Sequence, residues 1–401
     1  MDLDFTEAED AFRAEARAWL TAHVPRTPLH SLETEEGFAA HREWERELHE
    51  GGWSVVGWPR AYGGRDASLT EWLIFEEEYY AAGAPGRVSQ NGISLLAPTL
   101  FAHGTPGQLA RLLPPMASGE TVWAQAWSEP EAGSDLASLR STAERTTGGW
   151  LLSGQKTWSS RAAFADRAFG LFRTDPEQSR HRGLTYLMFP LVAPGVTVRA
   201  IGRLDGRPAF AELFLDQVFV PDEDVIGEAG QGWRAAMSTA GNERGVTLRS
   251  PGRFTASASR LAALWRRAGD PRDTATRDRV ADAWIRARAY QLAGYAAVSR
   301  PEAGAEAAVR AGAAASMNKV FWSELDIALH ETALDLLGPE GEFASEEPGR
   351  GPEGDGAWTH DWADGWMDGW VFALAGPVYA GTNEIQRDII AERLLGLPKG
   401  R

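Results

Sequence analysis

Residues 123–135 read Trp123-Ala124-Gln125-Ala126-Trp127-Ser128-Glu129-Pro130-Glu131-Ala132-Gly133-Ser134-Asp135 and mark the point where the chain changes character. Apolar and aromatic residues run into Ser-Glu-Pro and then Ala-Gly-Ser-Asp, the pattern of a strand that leaves through a tight turn. Upstream, the patterning is helical. Thr6 and Glu9 form a capping box, and Phe5, Ala8, Phe12, Ala16 and Trp19 recur on one helical face. Helical patterning continues over 37–49 and 69–82, interrupted by glycine turns at Gly51-Gly52 and Gly63-Gly64.

Downstream, short runs over 150–152, 184–191, 196–201 and 211–220 are separated by glycine, proline and aspartate, as expected of a compact β domain. From about Gly230 helical periodicity returns. It is clearest in Phe321, Leu325, Ala328, Thr332 and Leu336, and again over 385–395 before Gly396 and Pro398 stop it. The predicted fold is α+β in the order helix, sheet, helix: an N-terminal all-helical domain over 1–120, a central β domain over 121–229 and a C-terminal helical bundle over 230–401. The glycine-, proline- and acid-rich stretch 339–356 predicts an exposed loop. Trp358, Trp362, Trp366 and Trp370 repeat every four residues and so share a slowly drifting helical face, suited to core or interface packing or, more sharply, to a pocket wall.

With 401 residues, more than one packed subdomain is expected. A net charge of −16 argues against a nucleic-acid binder. The chain has no cysteine, which removes disulfides, thiolate metal sites and a cysteine nucleophile. Neither a secretory leader nor a membrane-spanning run is visible, so a cytoplasmic protein without membrane insertion is expected. His103, His330 and His360 lack metal-ligand spacing; a solvated or capping role is expected of them, and no metal site. His181-Arg182-Gly183 reads as a structural turn introducing a strand.

Two more segments carry a chemical pattern: Gly154-Gln155-Lys156-Thr157-Trp158-Ser159-Ser160, and Val378-Tyr379-Ala380-Gly381-Thr382-Asn383-Glu384-Ile385-Gln386-Arg387. With the 123–135 stretch, with Trp58-Pro59-Arg60-Ala61-Tyr62-Gly63-Gly64, with Asn91-Gly92-Ile93 and with the terminal Leu395-Gly396-Leu397-Pro398, they resemble, in order, the signatures of flavin-dependent acyl-CoA dehydrogenases across nearly the whole chain. The resemblance implies a β-barrel-like central domain and FAD lying between it and the C-terminal helices. Gln125, Trp127, Ser128, Gly133 and Ser134 would form the flavin strand and loop. Small residues at Ala132 and Gly133 let backbone approach a planar ring, and hydroxyls supply hydrogen bonds. Trp158 would pack on the isoalloxazine and Ser160 would bond to it. Thr382 and Glu384, at the start of the last helix, would contact cofactor, and in the family the cofactor spans a subunit boundary, so that this segment would serve a neighbouring chain's flavin.

One position departs from the common pattern: Ala380 stands where many relatives keep the catalytic glutamate, and alanine cannot take a proton. The branch that includes isovaleryl-CoA dehydrogenase instead places the glutamate on the helix after the β domain, immediately before an arginine, as Glu243-Arg244 does here. Glu243 is therefore the expected base, Arg244 an orienting residue and Ala380 a lining of the substrate site. Other departures are Asp335, where a cofactor-contacting glutamine is common, Gly241 in place of an acid, and no clean match around 266–272 to the arginine motif that reaches a neighbour's pyrophosphate.

The resemblance implies trans-2,3-desaturation of an acyl-CoA or carrier-protein-bound thioester, with an electron-transfer flavoprotein as electron acceptor and a homotetramer, or a heterotetramer with a related chain, as the assembly. The alternatives are a flavin monooxygenase on the same fold, in which the base is dispensable, and a non-catalytic subunit of a mixed tetramer.

Overall fold

Thr6 Oγ1 accepts from Glu9 N at 3.2 Å while the Glu9 carboxylate accepts from Thr6 N at 2.8 Å, the reciprocal cap that starts α1 (Glu7–His23). The computed structural model describes residues 4–244, 249–299, 305–342 and 365–398. In α1 the buried face is Phe12, Ala16 and Leu20, packed with Trp44 and Leu48 of α2 (Glu35–Glu50) and Ile74, Phe75 and Tyr79 of α3 (Leu69–Ala81). A π-helical turn over Asn91–Leu96 leads into α4 (Ala97–His103), and α5 (Pro106–Ala117) follows. Leu95, Leu100, Leu113 and Met116 from these elements join Trp123, Phe169, Tyr186 and Ile226 in one apolar cluster, which fastens the helices to the sheet.

The strands are β1 (Trp123–Ala126), β2 (Thr142–Thr146), β3 (Gly149–Ser160), β4 (Arg167–Arg173), β5 (Leu184–Pro190), β6 (Val196–Ile201), β7 (Phe210–Pro221) and β8 (Val225–Ile226). Their order is β6-β7-β3-β2-β4-β5-β8, with β1 added in parallel to β4. Among the described residues the pairing is an open path from β6 to β8, the central sheet domain that the resemblance implies. β8 contributes a two-residue pairing to β5, and β6 is a half-exposed edge. The sequence run at 150–152 is only the start of the longer β3, whose register is broken by bulges between Leu152 and Gly154 and between Lys156 and Ser159. Such interruptions erase the alternation that identifies a strand.

The second helical layer is α6 (Gly232–Arg244), α7 (Pro251–Ala268), α8 (Thr274–Val298), α9 (Ala305–Leu337), α10 (Gly365–Ala373) and α11 (Asn383–Ile389). Its core gathers Phe254, Leu261, Ala287, Tyr290, Trp322, Leu325, Leu329 and Trp366. The stripe predicted on α9 is rotated: Trp322, Leu325, Leu329 and Ala333 are fully buried, whereas Ala328 and Leu336 are only half-buried. This helix is enclosed on several sides and also buries Lys319, Ser323, Asp326 and His330, which hydropathy reads as surface. His330 is accordingly corrected from solvated to core: its Nδ1 lies 2.8 Å from the Asp326 carbonyl and its ring meets Trp366.

Trp366 is a core residue and Trp370 is half-buried, while Trp358, Trp362, His360 and residues 343–356 of the expected loop lie outside the described residues. The His181 turn does introduce β5, with Gly183 at φ +64°. Among the described residues no helix is long and apolar enough to cross a membrane.

Candidate active site

The bulge between Lys156 and Ser159 sets the geometry of β3. Trp158 there has φ +58° and is 60% exposed, its indole standing edge-on to Phe210 at 5.8 Å. A bulky side chain in the left-handed region costs of order 1–3 kcal/mol, and such strain collects where a side chain must be re-aimed. An indole raised off the sheet offers a broad apolar face to a planar partner. Ser160 is half-buried, while Ser159 is fully buried and its Oγ finds no hydrogen-bond partner among the described residues.

The loop after β1 is held from beneath. Glu129 and Ala132 exchange backbone hydrogen bonds at 3.1 Å each, and Thr157 N donates to Ser128 O at 2.9 Å. The buried Glu129 carboxylate accepts from Arg140 N (2.6 Å), Ser141 N (3.0 Å) and the fully buried Lys156 Nζ (2.8 Å), and Lys156 also donates to Leu171 O. Burial by itself would raise the Glu129 pKa. The Lys156 charge and these N–H donors outweigh it and hold the carboxyl below its ordinary value. Ala132 packs into the apolar cluster beneath the sheet, so of the two small residues only Gly133 lies on the open side, with the exposed Ser134. Gln125 sits on β1 with Nε2 buried and without a hydrogen-bond partner among the described residues. Gln125 and Ser159 each keep a buried donor without a hydrogen-bond partner among the described residues, which acceptor atoms of a bound group would satisfy.

The aromatic at the end of the strand leads to the expected base. Trp127 Nε1 donates to Tyr186 Oη at 3.0 Å, Tyr186 Oη lies 3.3 Å from Thr239 Oγ1, and Thr239 Oγ1 lies 2.7 Å from Thr99 Oγ1. Burial pushes the Tyr186 phenol well up; the bonds to Thr239 and Trp127 oppose it, and the charge of Glu243 adds to it. Glu243 is half-buried on α6, one helical turn beyond Thr239 and close enough for Tyr186 to feel its charge. Arg244 ends α6; its side chain lies outside the described residues.

Ala380 (φ +56°) and Gly381 (φ +77°) form a left-handed turn clamped by the buried Gln386, whose Nε2 donates to Ala380 O at 2.8 Å and to Gly381 O at 3.1 Å. Thr382 caps α11 by accepting from Ile385 N. The exposed Glu384 is held ionised below its ordinary range by its own backbone N–H and by Thr382. Trp127, Tyr186, Thr239 and Thr99 are thus joined through one hydrogen-bonded chain, with Glu243 one helical turn beyond Thr239, whereas Ser134 and Glu384 both face outward.

Sequence reading passed over Tyr186, Thr239, Lys156 and Arg249. Thr239 alone carried a local signal, its spacing of four from Glu243. Arg249 is buried, donates to Tyr379 Oη at 3.0 Å, and lies 5.5 Å from the ring centres of Trp322, Phe372 and Tyr379. Asp335, read as a departure at a cofactor position, is paired with Arg279 at 2.6 Å.

A mixed sheet between two helical layers, with an indole on a bulge and a carboxylate on the following helix, is the arrangement that the resemblance to flavin-dependent dehydrogenases implies. The chain belongs to the acyl-CoA dehydrogenase family: its N-terminal, middle and C-terminal domain models match residues 6–120, 124–218 and 230–395. Acyl-CoA dehydrogenase IpdE1 of Mycobacterium tuberculosis is 37% identical over 97% of this chain and 98% of its own length, and FadE26 of the same organism is 31% identical over 100% and 99%. Among solved structures, the Tcur3481-Tcur3483 steroid ACAD superposes with a TM-score of 0.83 at 28% identity, covering 100% of both chains. The ChsE4-ChsE5 complex of Mycobacterium tuberculosis gives 0.80 at 29%, again covering 100% of both. The protein is an FAD-dependent acyl-CoA dehydrogenase.

Proposed function

We propose that the chain catalyses trans-2,3-desaturation of a CoA thioester with a bulky, steroid-derived acyl group, and that Glu243 is the base. One observation carries this reading: Glu243 lies one turn beyond Thr239 on α6, electrostatically coupled to Tyr186, whose hydroxyl is bonded to Trp127 at the end of the flavin strand. The other family position, 380, holds no carboxylate. Glu243 takes the α proton onto a carboxylate oxygen. FAD, when bound, accepts the hydride leaving the β carbon.

Gln125, Trp127, Ser128, Gly133, Ser134, Trp158 and Ser160 hold the cofactor, and Trp158 also excludes water from the reacting edge. Arg244 orients the substrate and Ala380 leaves room for it. Thr382, at the cap of α11, and the exposed Glu384 serve a cofactor across a subunit boundary. The steroid class is supported by the name of the Tcur3481-Tcur3483 relative, and association with a related chain by the two-chain ChsE4-ChsE5 complex. Exposed Trp284, Ile285 and Leu292 on α8 offer an apolar face for such association. Electrons pass to an electron-transfer flavoprotein, and the setting is cytoplasmic.

The test is anaerobic titration of the flavin-loaded protein with straight, branched and steroid-type acyl-CoA thioesters, following the oxidised flavin band. Bleaching by steroid-type thioesters in the parent and its loss in Glu243→Gln are expected. Bleaching that survives Glu243→Gln removes Glu243 as the base, and no bleaching by any thioester rejects the desaturation.

A further inference from the structure

Glu243 stands in the last turn of α6, so the place of its carboxylate depends on how that helix is held further back. The start of α6 lies directly on β5. A Cβ at Gly232 would come within 2.4 Å of Tyr186 N and 2.5 Å of the Thr185 carbonyl carbon, so this contact needs glycine. Just before the helix, Gly230 N donates to Thr185 Oγ1 at 2.9 Å, and Thr185 Oγ1 lies 2.8 Å from Thr174 Oγ1. The next residue of the strand, Tyr186, reaches further up the helix to Thr239. Two adjacent residues of β5 thus hold α6 at two levels, ahead of its first turn and one turn before Glu243.

The remaining buried side chains of α6 are Ala235, Ala236 and Ala240. Methyl groups set the distance of a helix from its neighbours but resist sliding and rotation poorly, whereas a hydrogen bond has a direction. The direction is defined here. An indole N–H can only donate, so Tyr186 accepts from Trp127 and turns its own hydrogen to Thr239 Oγ1. Thr239 Oγ1 lies 2.7 Å from Thr99 Oγ1, and Thr99 donates to Leu95 O at 2.8 Å. The chain ends on a carbonyl of the π-helical turn Asn91–Leu96, a kind of irregularity frequent at functional sites. Tyr186, Thr239 and Thr99 are fully buried, so water does not compete for these bonds. Packing alone would be met by valine, which has the shape of threonine and no hydroxyl to desolvate.

We propose that Thr239, held between Tyr186 and Thr99, is the positioning residue for the base: it fixes the rotation and height of the last turns of α6, and through them the Glu243 carboxylate against the α carbon. The proposal rests on the reading of Glu243 as the base. Thr239 takes no part in proton transfer. Four residues apart, Thr239 and Glu243 share one face of the helix, separated by about 6 Å along its axis. A misplacement of about 1 Å at the reacting atoms costs about 10²-fold in rate. Binding, spread over the whole thioester, registers such a shift far less.

The test separates rate from binding. The flavin-loaded full chain of the parent, Thr239→Val and Thr239→Ser is mixed anaerobically with saturating steroid-type acyl-CoA thioester, and the rate of flavin bleaching is set beside the Kd of a non-dehydrogenable CoA thioether. Thr239→Val is expected to bleach at least about tenfold more slowly per bound flavin with the thioether Kd within about twofold of the parent, and Thr239→Ser, which keeps the hydroxyl, to return to within about threefold of the parental rate. Thr99→Val, which leaves every residue of α6 in place, is expected to slow bleaching in the same sense and decides the matter if Thr239→Val does not fold. Bleaching at the parental rate in the valine variants overturns the proposal. So does an equal loss of rate and of thioether binding, the mark of a generally loosened site, and so does a serine variant as slow as the valine one. If Glu243→Gln bleaches at the parental rate, or no thioester bleaches the parent, the base reading fails and takes this proposal with it. An inactive Glu243→Gln beside a Thr239→Val of parental rate rejects the proposal alone.

Discussion

Trp127 Nε1 donates to the hydroxyl of Tyr186 at 3.0 Å, so the end of β1 is tied by a single phenol to the helix that carries Glu243. Tyr186 is fully buried, and removing its oxygen strands an indole N–H and weakens the threonine pair behind it. Tyr186→Phe is expected to cost about 1–3 kcal/mol of stability. Denaturant unfolding should show a lower midpoint with an unchanged slope; an unaltered midpoint would mean that the phenol is not the tie.

If positions 243 and 380 face the same α carbon, the base can be moved. Glu243→Gln is expected to lower kcat by about 10²- to 10⁴-fold, the usual contribution of a positioned general base. Adding Ala380→Glu should restore at least about tenfold of this loss, although the left-handed backbone at 380 (φ +56°) disfavours any branched replacement. Steady-state kinetics on the single and double variants decides it, and no recovery would place the two positions around different atoms.

Glu129 and Lys156 are a buried pair at 2.8 Å beneath the loop that follows β1. Glu129→Gln keeps an acceptor for Arg140 N and Ser141 N but leaves the ammonium without its countercharge, at a cost of about 3–5 kcal/mol. Glu129→Gln combined with Lys156→Met removes both charges and should recover most of the loss. The Glu129 pKa is depressed in the fold, so its contribution is present above the unfolded value of 4.5 and lost as pH falls through the lower folded one. Thermal unfolding of the set across pH 3–7 measures both effects.

Glu76 moves the other way. Burial pushes it up to about 7 against the opposing charge of Arg87 and the Ser250 hydroxyl. The fold thus favours the protonated acid: its stabilisation is complete below the unfolded value of 4.5 and disappears as pH rises through about 7. Relative to Glu76→Gln, which cannot ionise, the parent should lose about 3 kcal/mol over that window. A stability difference that stays flat from pH 4.5 to 8 would contradict the assignment.

Much of this protein is written locally. The capping box at Thr6 and Glu9, the strand that ends in the glycine loop at Gly133 and the missing carboxylate at Ala380 are all legible, because each depends on neighbours within a few residues. The helix, sheet, helix order follows for the same reason: periodicity is a short-range property. What tertiary structure alone decided is which polar groups are inside. Lys156 and Glu129 are 27 residues apart, Tyr186 and Thr239 are 53, and Arg249 and Tyr379 are 130, and in each pair the members read singly as surface, strand or helix. On α9, hydropathy counts Lys319, Asp326 and His330 as solvent-facing, yet all three are buried. A buried polar side chain is stabilised by a partner and not by its own hydrophobicity, and the partner is supplied by a distant part of the chain that only folding brings near.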